Sequence, residues 1–250
     1  VSKCLLLINI LTLMKIFNTE LSATIHSFID FFFPRFCICC QERLSINESH
    51  ICGACQLALP RAIVSSFEDN EMARFFWGLI PIERCATLFY YTKNSVYTRI
   101  LMKLKYGNQP KVGITMGRML AKSIYEKGFF NGIDVIVPVP LSKERERQRG
   151  YNQSEWIAKG ISEITSIKIY NNCIVRTKVT PSQTSLKLHE RLESVQGAFQ
   201  LKDTHDLIGK HILLVDDVLT TGATLLACAE TIAKIPQTKI SIVTLARTHY

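Results

Sequence analysis

The sequence predicts an α/β protein: a parallel sheet flanked by helices, with a small N-terminal four-cysteine module. Three observations carry this prediction. Short apolar runs alternate with amphipathic segments of helical length along most of the chain, the pattern of strands buried on both faces of a parallel sheet. One such run, ILLVDDVLTTGAT from Ile212 to Thr224, carries two adjacent carboxylates and then turns to small hydroxylated residues. Nearer the N-terminus, two Cys-x-x-Cys knuckles lie eleven residues apart.

The 250 residues, 47% hydrophobic and 20% charged, suffice for one sizeable core plus a satellite module and exclude a disordered chain. Residues 1–33 form an extension. Its apolar run to Phe17 is broken by Asn9 and Thr12, is shorter than the roughly 20 apolar residues of a spanning helix, and precedes no small-residue cleavage site. A translation start at Met14 competes with any signal-peptide reading, and the expectation is a cytoplasmic protein without stable membrane insertion. Leu21, Ile25, Phe28, Ile29 and Phe32 share one stripe of a short helix stopped by Pro34. The cysteine module occupies 34–60. Residues 57–84 have no clear period, and the α/β domain spans 83–250. Within it, strands are predicted over Ala86–Tyr91, Asp134–Val139, Cys173–Arg176, His211–Asp217 and Lys239–Ala246. Helices are predicted over Val96–Leu104, Ile114–Tyr125, Asn152–Ile164 and Ala223–Lys234.

Parallel sheets bind ligands at the carboxyl ends of their strands, where Asp216 and Asp217 fall. The next helix begins beyond Thr220, Thr221, Gly222, Ala223 and Thr224. A helix N-terminus offers free N–H groups and partial positive charge, glycine permits close approach, and threonine hydroxyls add donors. Carboxylates repel phosphate but accept from vicinal hydroxyls. The spacing therefore describes one ligand, a sugar phosphate.

VDDVLTTGAT resembles the phosphoribosyl diphosphate (PRPP) signature of type I phosphoribosyltransferases. That resemblance implies a type I phosphoribosyltransferase-like sheet, Asp216 and Asp217 on the ribose hydroxyls, and Thr220–Thr224 on the 5′-phosphate. DVIVPVPLSKERERQRGYNQSEWIA (Asp134–Ala158) and, less literally, RTKVTPSQTSLKLHERLESVQGAF (Arg176–Phe199) are similar to the ComF branch, which is linked to DNA uptake in competent bacteria. The branch implies PRPP bound with Mg²⁺, an unidentified acceptor, and Pro138, Val139, Pro140 and Leu141 beside the diphosphate. A strand ending Pro-Val-Pro has few N–H groups, so side chains would share the anion: Lys143, Arg145, Arg147 and Arg149, the last within Arg149-Gly-Tyr-Asn-Gln153. Gln183 and Arg191 are candidates for a flap. No residue reads as a catalytic base.

Cys37, Cys40, Cys52 and Cys55 suit a closed tetrahedral Zn²⁺ site of structural type, with Cys39 a non-ligand. A redox pair competes, but two knuckles so close together favour metal, and ComF-type proteins share such a cluster. Cys4, Cys85, Cys173 and Cys228 show no spacing and read as buried thiols. The net charge of +9 points to acidic partners. Seven basic residues from Lys93 to Lys122 (Lys93, Arg99, Lys103, Lys105, Lys111, Arg118 and Lys122) are interrupted by no acid. With Tyr97 and Tyr106 they support the alternative of a non-catalytic factor gripping single-stranded DNA, or DNA-processing proteins, through the zinc module and this stretch.

Overall fold

The computed structural model describes residues 34–62, 64–177 and 197–248. The helix expected before Pro34, with the rest of the extension, and the flap residues Gln183 and Arg191 lie outside the described residues. A division at Ala58/Leu59 separates two compact units. In the first, Phe36 and Arg43 form an antiparallel bridge. Its one described helix, α1 (Gly53–Leu57), starts at the second knuckle, where the Cys52 thiol caps it by accepting the Cys55 N–H.

The second unit opens with α2 (Glu71–Phe76), whose N-cap Asn70 accepts from the Met72 and Ala73 amides. Six residues are too few to show a helical period, so this helix was not readable as such. There follow β1 (Arg84–Tyr91), α3 (Thr98–Tyr106), α4 (Lys111–Tyr125), β2 (Val135–Pro138), α5 (Lys143–Arg149) and α6 (Gln153–Thr165). Next come β3 (Lys168–Ile169), β4 (Ile174–Arg176), β5 (Phe199–Leu201), β6 (His211–Leu219), α7 (Ala223–Ile232) and β7 (Lys239–Thr248). No described helix is long and apolar enough to cross a membrane.

Five strands form one sheet in the order β1-β7-β6-β2-β3, and every pairing in it is parallel. The strand predicted over Cys173–Arg176 forms but does not join it. Only Tyr170–Cys173 separate β3 from β4, whereas a parallel crossover needs about a dozen residues. β4 pairs antiparallel with β5 instead, as a two-stranded ribbon.

One face of the sheet presents Val135, Val137, Ile212, Leu214, Ile240 and Ile242 to a core shared with α2, α7 and the ribbon. The other carries α4 and α6, packed on each other and on the sheet. Glycines set that packing. A Cβ on Gly117 would overlap the Ile157 carbonyl oxygen, and one on Gly160 would overlap that of Ile114. At Gly113 it would come within 2.8 Å of the Trp156 Cβ. The two helices thus touch backbone to backbone, and the contact fixes the N-terminus of α6 at the carboxyl end of the sheet. Gly160→Val is expected to force them apart at a cost of about 1–3 kcal/mol, measured as a lower urea midpoint with unchanged slope.

Candidate functional site

β6 lies between β7 and β2, and its ladder continues through the acid pair, with Asp216 opposite Thr244 and Leu219 opposite Arg247. Consecutive residues of a strand leave it on opposite sides, so the two acids acquire different surroundings. Asp217 is 7% exposed. Its Oδ2 lies 3.0 Å from the ammonium of Lys105, in the last turn of α3. Asp216 turns back over its own strand: its Oδ1 accepts the Asp217 N–H at 2.9 Å and the Ser154 hydroxyl at 3.0 Å. Burial, and next the charge of Asp217, push the Asp216 carboxyl up to about 7. Lys105, Ser154 and the Asp217 N–H oppose that rise without cancelling it.

Beyond the acids, Gly222 is the N-cap of α7 in the left-handed region (φ +69°), and no side chain caps the helix. Its first-turn N–H groups have no partner within the helix by construction. A Cβ on Gly222 would run into the Phe75 ring, so glycine is required both for backbone conformation and for space. The turn formed by Thr220, Thr221, Gly222, Ala223 and Thr224 thus meets an aromatic ring at its glycine.

Pro138 ends β2, and the Val139 N–H is taken by the Val215 carbonyl at 2.9 Å. The Val139 carbonyl accepts from Asn152 Nδ2 at 3.0 Å, and the Asn152 side-chain oxygen caps α6 by accepting the Ser154 N–H. With two prolines and one occupied amide, this segment has little backbone left for an anion. Pro138, Pro140 and Leu141 instead line a cavity of 230 Å³ with Lys143, Arg176 and Lys202. Arg176 is a buried cation stacked over Phe199 at 5.5 Å. Burial and then Arg145 pull its pKa down, while the charge of Asp216 acts in the opposite sense.

Arg149 sits elsewhere. It donates to Gln153 Oε1 at 2.8 Å and lies 5.4 Å over the Tyr106 ring. These contacts close a circuit around the acid pair: Asp217 to Lys105, its neighbour Tyr106 to Arg149, Arg149 to Gln153, and its neighbour Ser154 to Asp216. Sequence reasoning counted Lys105 only as one of seven basic residues and did not single out Ser154, Arg176 or Phe75. Lys105 carries one signal: it lies one turn after Leu101 and next to Leu104, at the edge of the buried face of its helix.

In the first unit, the Sγ atoms of Cys37, Cys40, Cys52 and Cys55 all lie within 4.8 Å of one another, with Cys40 and Cys52 3.7 Å apart. A Zn–S bond of about 2.3 Å places tetrahedral sulfurs roughly 3.8 Å apart, so the quartet fits that ion. Burial raises the Cys37 thiol, but amides of Cys52, Cys40 and Cys39 outweigh it and bring the pKa to about 6. Cys39 lies outside the quartet, and burial pushes it up to about 12.

The family model described as the phosphoribosyl transferase domain matches residues 105–249, from Lys105 through the acid pair and its turn. Competence protein F of Haemophilus influenzae is 26% identical over 227 residues, 86% of this chain and 98% of that protein. Competence protein ComFC of Bacillus subtilis is 29% identical over 191 residues, 76% of this chain and 74% of its own length. The chain belongs to the ComF family. DNA utilization protein YhgH of Escherichia coli K12 is a further similar protein, 24% identical over 86% of the chain and 98% of its own length.

The raised carboxyl gives this ComF protein a definite pH response. Folded, Asp216 holds its proton up to about pH 7; unfolded, it releases it near 3.8. Between those values the folded state binds the extra proton, so ligand-free stability falls as pH rises. Thermal melts from pH 4 to 7.5 are expected to show that decline, and Asp216→Asn to make it shallower. An equally steep profile in the variant would place the cause elsewhere.

Proposed function

We propose that this ComF protein binds PRPP with Mg²⁺ and serves displacement of its diphosphate by an acceptor. The observation that carries the reading is the acid pair on the central strand, joined by a short turn to a helix N-terminus without a side-chain cap. The amides and threonine hydroxyls from Thr220 to Thr224 would hold the 5′-phosphate, and Asp216 and Asp217 the ribose hydroxyls. Pro138, Val139, Pro140 and Leu141 would border the diphosphate, with cations from neighbouring elements, Arg149 among them, supplying the binding. Reaction would form a bond from the acceptor to the anomeric carbon as the C–O bond breaks and its electron pair leaves with diphosphate. Mg²⁺ supplies charge neutralisation to that leaving group, and the oxygen donors of diphosphate and carboxylate are the hard ligands it prefers. In the first unit the four thiolates would hold a structural Zn²⁺, which closes the knuckles and leaves no open coordination position.

Isothermal titration of PRPP with Mg²⁺ is expected to show micromolar-range binding that Asp216→Asn/Asp217→Asn abolishes. Absence of heat with both PRPP and ribose 5-phosphate would end the proposal.

A second reading, contact with single-stranded DNA, rests on Tyr106, 68% exposed on the helix that also exposes Lys103. Relatives named for competence and DNA utilization favour it. Lys105 and Arg118 would contribute less than the sequence suggests, since each is held by an acid, Asp217 and Glu163 respectively. Oligonucleotide affinity is expected to fall steeply with salt and to weaken in Tyr106→Ala. Binding indifferent to both would count against this surface.

A further inference from the structure

Of the seven cations between Lys93 and Lys122, Lys105 is directed inward. Its side chain is 23% exposed and that of Asp217 10%, with the ammonium 3.0 Å from Oδ2. A lysine in the last turn of a helix already has favourable interaction with the helix dipole and needs no partner for that. The geometry accounts for the inward turn differently. Two carboxylates on adjacent residues at the end of a buried strand are costly without a counter-ion, and Lys105 is the cation paired with one of them, Asp217. That contact also covers the carboxylate that the ribose hydroxyls would require.

We infer that Lys105 is a partner-exchange residue: it neutralises Asp217 in the ligand-free protein and moves to the diphosphate of the ligand when the sugar hydroxyls take its place. This rests on the PRPP reading above and extends it to a residue outside the signature. Lysine suits the task because its charge sits on a flexible four-carbon stem with three rotatable donors. The displaced ammonium would not stay beside a site now receiving Mg²⁺, whereas the incoming diphosphate is the strongest nearby anion. Tyr106, next in sequence, holds Arg149 by its ring, so movement at the end of α3 would also reach the second cation assigned to the diphosphate.

The test separates exchange from a structural role by sign. In Lys105→Met, ribose 5-phosphate, which has the hydroxyls and phosphate but no diphosphate, should bind as tightly as before or tighter, because nothing competes for Asp217. PRPP with Mg²⁺ should bind on the order of tenfold or more weakly, the loss of one charge-assisted contact. Lys105→Arg should restore PRPP binding to within a few-fold. Thermal melts check folding, and Lys105→Gln, which keeps a donor for Asp217, serves if the methionine variant does not fold. Both ligands weakening together, or neither changing, would overturn the exchange while leaving the PRPP reading in place. If the unsubstituted protein binds neither ligand, the PRPP reading fails and takes the exchange with it.

Discussion

Two carboxylates on consecutive residues of the central strand pose a charge problem that the rest of the site is arranged to solve. The pleat divides the problem in two by sending the side chains to opposite sides. Asp217 is in direct contact with a full charge, Lys105, whereas the direct partners of Asp216 are dipoles, the Ser154 hydroxyl and a backbone N–H. Burial and the charge of Asp217 outweigh those contacts and push the Asp216 carboxyl up to about 7. The pair is therefore not two equal acceptors. One member is ion-paired with Lys105, and the other carries a carboxyl raised by burial and by its neighbour's charge.

Each compensating group comes from a different element, and the fold must bring them to one point. Ser154 depends on α6 meeting α4 at glycine-to-backbone distance, since any Cβ at Gly117 or Gly160 would lift the helix and withdraw the hydroxyl from Asp216. Lys105 depends on α3 ending where it does, and the Tyr151 hydroxyl helps by donating to the Leu104 carbonyl at 2.7 Å. Remote packing and site electrostatics are thus one structure: a change in the helix pair alters the proton affinity of a carboxyl at the strand end.

Much of this was legible in the sequence, and what was not has a physical reason. The long elements of the domain were readable because their apolar periods extend over many residues, and ILLVDDVLTTGAT was readable because strand, acids and turn are contiguous. The four cysteines were legible by spacing and are brought together. α2 and the two-residue β3 are too short to carry a period. The antiparallel partner of β4 lies more than twenty residues away, and nothing local identifies it. Lys105, Ser154 and Arg176 were hidden for the same reason: each reaches the site across the fold from an element whose local pattern describes only its own surface. A basic stretch reads as a uniform face until one of its members is found turned inward.

The two ends proposed for the anions differ in kind, and the difference bears on how the site would work. The end facing α7 is made of backbone, at a left-handed glycine where a Cβ would meet the Phe75 ring. Such a site is preorganised and fits one shape. At the other end, prolines and an occupied Val139 amide leave the work to side chains on α3, α5 and β4, and these are engaged with partners of their own. Charge there must be recruited by rearrangement. In the proposed reading a rigid backbone grip would hold the group that stays, and rearranging side chains the group that leaves.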